Sequence, residues 1–208
     1  MHIARSLLPG IVIACVLLCG CSGTAPSSSL SSSPDTTTAT AVPRVTGSPA
    51  AGTFSLTVDG VPAGSALPAT YTCTGSSTTP GIAWTNVPAG TKSLAVILDD
   101  PDAPSGTFTH WTFTHWILYN IPATTLSIDS DQPNAKVLSD GTQVGTNTAG
   151  SRGYYPPCPP VGTTHRYLFR LYAVDMAISQ PTADRASIDW ALSGHTLGEA
   201  QVTTTFTR

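Results

Sequence analysis

Five side chains in this 208-residue sequence have types and spacings that could act together chemically: Asp100, Asp102, His115, His165 and Tyr167. Asp99-Asp-Pro-Asp-Ala-Pro104 directly follows the apolar run Leu94-Ala-Val-Ile-Leu98, so its carboxylates emerge where a buried strand meets solvent. Asp100 and Asp102 can then share one rim, although Asp and Pro also favour plain turns for local reasons. His165 and Tyr167 stand two apart at the start of an aromatic, branched run. In a regular strand they project from one face, with Arg166 and Arg170 on the other as solvated or pairing charges. His115 opens another such run, where a lone histidine would ordinarily be structural. Imidazole and phenol donors beside carboxylates suit a small anion of phosphate or carboxylate type. The carboxylates would either hold the imidazoles charged or accept a proton from the ligand.

Other chemistries are less well supplied. Two His and two Asp could hold a metal by number, yet no close ligand spacing such as H-E-x-x-H is present, so no metal or cofactor is expected. No serine lies in a G-x-S-x-G frame. The two cysteines beyond residue 21, Cys73 and Cys158, permit one disulfide, and a covalent hydrolase then lacks its nucleophile. A hydrolase that activates water through His115 or His165 stays open as an alternative to simple binding. With 9 Lys plus Arg against 12 Asp plus Glu, a net charge of -3 and no basic run, the chain lacks the clustered cations that nucleic acid requires.

The elements that must position these groups read mostly as strands. Phe54-Ser-Leu-Thr-Val58 alternates, Leu94 to Leu98 is continuously apolar, and His115 to Tyr119 and Tyr167 to Val174 are rich in aromatic and branched residues. Gln201 to Phe206 adds a last strand. One helix is predicted near the carboxyl end, with Thr182 or Asp184 as cap, Ile188, Ala191 and Leu192 on one face, and Gly194 as the stop. Trp190 and His195 fall beside it and read as packing residues outside the site. From Pro122 to His165 there is little periodicity, too long a stretch for a passive loop. It ends in Tyr154-Tyr-Pro-Pro-Cys-Pro-Pro160, whose prolines stiffen it enough to form a pocket wall. Sparse charge with 18 Gly and 18 Pro fits a mostly β body.

Residues 1–20 read as an export signal. Arg5 precedes the apolar Ile11 to Leu18, a run shorter than the roughly 20 residues of a spanning helix. Leu18-Cys19-Gly20-Cys21 resembles a lipobox, which makes Cys21 the expected acylated residue and places the body on the extracytoplasmic face of a membrane through a lipid anchor. Residues 21–51 form a tether: of the 29 residues from 22 to 50, 18 are Ser, Thr or Pro, too polar to fold alone. The folded body is expected over residues 52–208.

Three ordered motifs resemble the phosphatidylethanolamine-binding protein family, and more closely its bacterial Raf-kinase-inhibitor-like branch: Asp100-Pro-Asp-Ala-Pro104, Thr114-His-Trp-Ile-Leu-Tyr-Asn-Ile-Pro122 and Cys158-Pro-Pro-Val-Gly-Thr-Thr-His-Arg-Tyr167. The resemblance spans about residues 53 to 208. It implies a central antiparallel sheet with a second small sheet and a few peripheral helices. It also implies an anion pocket drawing Asp100 and Asp102 from the first motif, His115 from the second, and Pro159, His165 and Tyr167 from the third. A Cys73–Cys158 disulfide is implied as well. The ligand implied is a small anion or phospholipid headgroup. Some relatives are named for inhibiting a kinase, so inhibition of a protease or kinase through surface loops is a second reading. Two departures stand out. Thr107-Phe-Thr-His-Trp111 repeats as Thr112-Phe-Thr-His-Trp116, and His115 is assigned to the pocket over His110 because it runs directly into Ile117-Leu-Tyr-Asn-Ile-Pro122. Pro156 stands where related sequences tend to have Gly, which stiffens the loop or removes a backbone donor near the ligand.

Overall fold

The computed structural model describes residues 52–103, 112–180 and 182–208. The expected export signal and tether, Cys21 and the first repeat copy with His110 lie outside the described residues. Two antiparallel sheets carry the fold, as the resemblance implied. Strands β1 (Ser55–Val58), β2 (Ile82–Thr85) and β5 (Ser127–Ile128) form a small sheet in the order β1-β2-β5. The larger sheet takes β3 (Ser93–Asp100), β4 (Phe113–Pro122), β6 (Gln143–Val144), β7 (Thr164–Val174) and β8 (Thr196–Thr207) in the order β6-β4-β3-β7-β8.

The central strand β3 is buried along its whole length, which explains why its sequence is a continuous apolar run rather than an alternation. Leu94, Val96 and Leu98 face the small sheet and pack in one cluster with Leu56, Val58, Ile82 and Trp84. Ala95 and Ile97 face the other way, into a second cluster with Ile117, Ile188, Ala191 and Leu192. The layers are therefore small sheet, large sheet and helix, the large sheet burying both of its faces and the other two one each.

That helix, α1 (Arg185–Leu192), begins where Asp184 accepts the Ser187 amide at 2.9 Å. Such a cap contributes roughly 1 kcal/mol. Just beyond its end, Gly194 takes a φ of 79°, a left-handed stop that residues with a Cβ adopt at a cost. Ile188, Ala191 and Leu192 are buried as their spacing predicts. Trp190 is not a packing residue: it is 75% exposed, because it falls on the outward face of the helix. Among the described residues no helix is long and apolar enough to cross a membrane.

Strand β4 departs from regular pairing with β3 at both ends. Between Leu94 and Val96 the pairing slips, and Asn120 takes a φ of 53° while its side chain bonds the Ile178 amide and carbonyl at 2.7 and 2.9 Å. A second slip lies between the pairs Leu98↔Trp116 and Asp99↔Thr114, leaving His115 as the extra residue of a β-bulge. Cys73 and Cys158 form a disulfide with a sequence separation of 85, and the Cys73 amide also donates to the Pro157 carbonyl at 3.1 Å.

Candidate functional site

Because β3 runs antiparallel to both β4 and β7, its carboxyl end lies between their amino ends. Asp100 is the last residue of β3, and it lands between His115 of β4 and His165 of β7. Its Oδ2 lies 2.8 Å from His165 Nδ1 and 3.9 Å from His115 Nε2. These three side chains line a cavity of about 460 Å³, whose walls are completed by Ala103, Phe113, Tyr155, Cys158, Pro160 and Arg208.

The bulge aims His115. Trp116 faces the core between the sheets, so strict alternation would turn His115 to the opposite face, toward the helix. The extra residue places both on the same side. The His115 ring accordingly sits 4.7 Å from Phe113, 5.4 Å from Tyr167 and 6.1 Å from Tyr155, centroid to centroid. The Tyr155 segment holds it there: the His115 carbonyl accepts the Tyr155 amide at 2.8 Å, and His115 Nδ1 lies 2.7 Å from the Tyr155 carbonyl. Since a carbonyl only accepts, Nδ1 carries the hydrogen and Nε2 is the atom turned toward Asp100. The segment itself is set by Gly153, whose φ of 97° and contact with the Asn134 side chain leave no room for a Cβ, and by Tyr154, which donates to the Tyr71 carbonyl at 2.6 Å.

Burial, the largest single influence on the Asp100 carboxyl, works to raise its pKa. The His115 and His165 imidazoles, the Asp102 amide at 2.8 Å and the charge of His165 together outweigh it, and the pKa is lowered. The carboxylate is therefore an acceptor, which assigns the hydrogen of the 2.8 Å contact to His165 Nδ1 and leaves His165 Nε2 uncommitted among the described residues. Burial, and then the Asp100 charge, push the Tyr167 phenol well above its ordinary value, so it stays a neutral donor. Its hydroxyl and His115 Nε2 are buried polar atoms without a hydrogen-bond partner among the described residues. Each such atom costs about 1–3 kcal/mol when left unmet.

Of the expected site residues the structure brings Asp100, His115 and His165 to one cavity, and Tyr167, on the same face as His165, lies fully buried against the ring of His115. Asp102 does not share the rim. Two residues beyond the strand end, it turns outward to pair with Arg166 through contacts of 2.6 and 2.9 Å, and this guanidinium holds its carboxyl down to about 2. Pro159 is buried behind the wall and Pro160 faces the cavity instead, an alternation a proline run does not reveal. Phe113, Tyr155 and Arg208 were not singled out. Phe113 could have been, as the i−2 neighbour of His115; Arg208, over forty residues from any motif, carried no signal.

On the opposite face of the sheet, Asp99 is also fully buried. Arg170 reaches it at 2.8 Å, Arg185 at 3.3 Å, and the Thr114 hydroxyl at 2.8 Å. The pairing role expected for Arg166 and Arg170 is thus realised with two different aspartates. His195 pairs with Asp175 at 2.8 Å on the surface, away from the cavity. Among the described residues no three His, Cys, Asp or Glu side chains converge so as to hold a metal ion.

The sequence model of the family described as phosphatidylethanolamine-binding protein matches residues 57–207. A UPF0098 protein of Methanothermobacter thermautotrophicus is 44% identical over 137 residues, covering 65% of this chain and 87% of that one. The "Putative lipoprotein LppC" of Mycobacterium tuberculosis is 32% identical over 170 residues, covering 81% of this chain and 79% of its own. Among solved structures, YbcL of E. coli, described as a new member of the mammalian PEBP family, superposes with a TM-score of 0.66 at 30% identity, covering 74% of this chain and 98% of its own.

Proposed function

The chain belongs to the phosphatidylethanolamine-binding protein family, and from that premise we propose that it is a binding protein whose cavity at the end of the large sheet takes a small phosphate-type anion or an anionic headgroup. One observation carries this reading. Three strand ends bring Asp100, His115 and His165 together under a cavity of about 460 Å³, with His115 Nε2 and the Tyr167 hydroxyl beside them lacking partners among the described residues. A phosphate group offers both what these atoms lack, acceptor oxygens for the imidazolium and phenol donors and, when protonated, a donor for Asp100. Binding without turnover fits the lining. Among the described residues that line the cavity none is a Ser or Thr, and Cys158 is committed to the disulfide.

The test is titration calorimetry with phosphate, phosphoethanolamine and acetate. Binding of the phosphates by the native protein, abolished in His165→Ala, is expected; folded native protein that takes up no anion refutes the reading. We further propose that Cys21 anchors the body by lipid on the extracytoplasmic face. The lipobox Leu18 to Cys21 and the similarity to LppC support this. Metabolic labelling with a fatty-acid analogue in a bacterial host should mark the native chain and not Cys21→Ser; equal labelling of both refutes it.

A further inference from the structure

The arginines of the body are not equally occupied. Arg166 is spent on Asp102, Arg170 and Arg185 on Asp99, and Arg152 on the Val144 carbonyl. Arg208 lines the cavity and has no carboxylate within ion-pair distance among the described residues. Its Nη1 touches Cys158 Sγ at 3.3 Å, and a disulfide sulfur is only a weak acceptor. The main chain places it there: the Arg208 carbonyl accepts the Gly162 amide at 2.7 Å and its own amide donates to the Thr163 carbonyl at 3.4 Å, in the turn that leads into His165.

A guanidinium is charged at every working pH and presents a planar fork that matches phosphate oxygens, whereas the imidazoles are cationic only when protonated. Among the described lining residues Arg208 is the one permanent cation, and it stands against the ionised Asp100. The attraction of a fixed charge for a ligand scales with the ligand's own charge. A phosphomonoester, close to a dianion at neutral pH, gains more from it than a phosphodiester or a carboxylate, which are monoanions. Resting on the anion reading above, we infer that Arg208 makes the cavity select phosphomonoesters over phosphodiesters and carboxylates.

The test compares the affinities of native protein, Arg208→Gln and Arg208→Lys for phosphoethanolamine, glycerophosphoethanolamine and acetate. The native protein prefers the monoester by about tenfold or more, the order expected for one charge-assisted contact. Arg208→Gln removes that preference while still binding all three weakly, and Arg208→Lys keeps part of it. A preference that survives in Arg208→Gln would be steric and overturns the assignment, as does native protein that shows none. If His165→Ala loses anions while Arg208→Gln keeps the native preference for the monoester, this inference fails while the cavity reading stands. Native protein silent toward every anion overturns both. Vesicles of phosphatidylcholine doped with phosphatidic acid, compared with the same vesicles doped with phosphatidylethanolamine, identify the source. Arg208-dependent capture of phosphatidic acid points to a lipid monoester, and binding of free monoester alone points to a soluble one.

Discussion

The Cys73–Cys158 crosslink lends itself to a quantitative test. It closes a loop of 85 residues, and in the chain-entropy treatment a loop of that length takes about 4.6 kcal/mol from the unfolded state at 25 °C. Replacing both cysteines, as Cys73→Ala with Cys158→Ala, avoids leaving a reactive thiol and removes that term. For a body of this size the loss corresponds to a fall in Tm of roughly 9–18 °C. Urea unfolding followed by tryptophan fluorescence is the assay, since Trp84 and Trp116 are buried and will report loss of the core between the sheets. The midpoint should drop and the slope rise, because the freed unfolded chain exposes more surface. The Cys73 amide keeps its bond to the Pro157 carbonyl, so the cavity wall should survive at low temperature and anion affinity should weaken far less than stability. A stability loss below about 1 kcal/mol would refute the reasoning, since the crosslink would then constrain little that the unfolded chain was free to do.

Three further outcomes are expected. Tyr167→Phe deletes a buried hydroxyl that has no partner among the described residues, so stability in urea should stay level or rise by up to about 1 kcal/mol while phosphate affinity falls; a clear loss of stability would show that the hydroxyl is already satisfied. Arg170→Met removes one of the two arginines on the buried Asp99, which keeps Arg185 and the Thr114 hydroxyl, and should cost about 1–3 kcal/mol with anion binding unchanged; coupled loss of binding would mean that the two faces of the sheet are not independent. Asp100 and Asp102 both have lowered pKa values in the folded state, so their contribution is fully present above the ordinary aspartate value and fades as pH falls through the folded values, with Asp102 near 2. Carboxyl NMR titration should place Asp102 there in the native protein and return it toward the ordinary range in Arg166→Gln; an ordinary midpoint in the native protein contradicts the pairing.

Much of the architecture was legible because burial writes itself into periodicity. The unbroken apolar run of β3, the alternation of β7 and the cap, face and stop of α1 each translate one local rule. The site was legible where it depended on the same rule: Asp100 closes the buried strand, and His165 with Tyr167 share a face two residues apart. It was illegible where geometry departs from the rule. His115 reaches the cavity only through an inserted residue, and parity read from Trp116 and Ile117 sends it to the helix side. Asp102 looked equivalent to Asp100 because a turn has no period from which to read direction, and its partner Arg166 decides the matter from β7. Tyr155 and Arg208 arrive from a proline-rich segment and from the chain end, and only the closed fold brings them to the cavity.

The irregularity in β4 changes what kind of alteration can dismantle the cavity. With Thr114 fixed opposite Asp99 and Trp116 opposite Leu98, the imidazole owes its direction to a count of residues, not to its own identity. Gain of a single amino acid between Thr114 and Trp116 would redirect the ring while every recognisable letter remained. Matching the motif letter by letter in a relative therefore cannot certify a working pocket; the spacing between Thr114 and Trp116 must be matched as well.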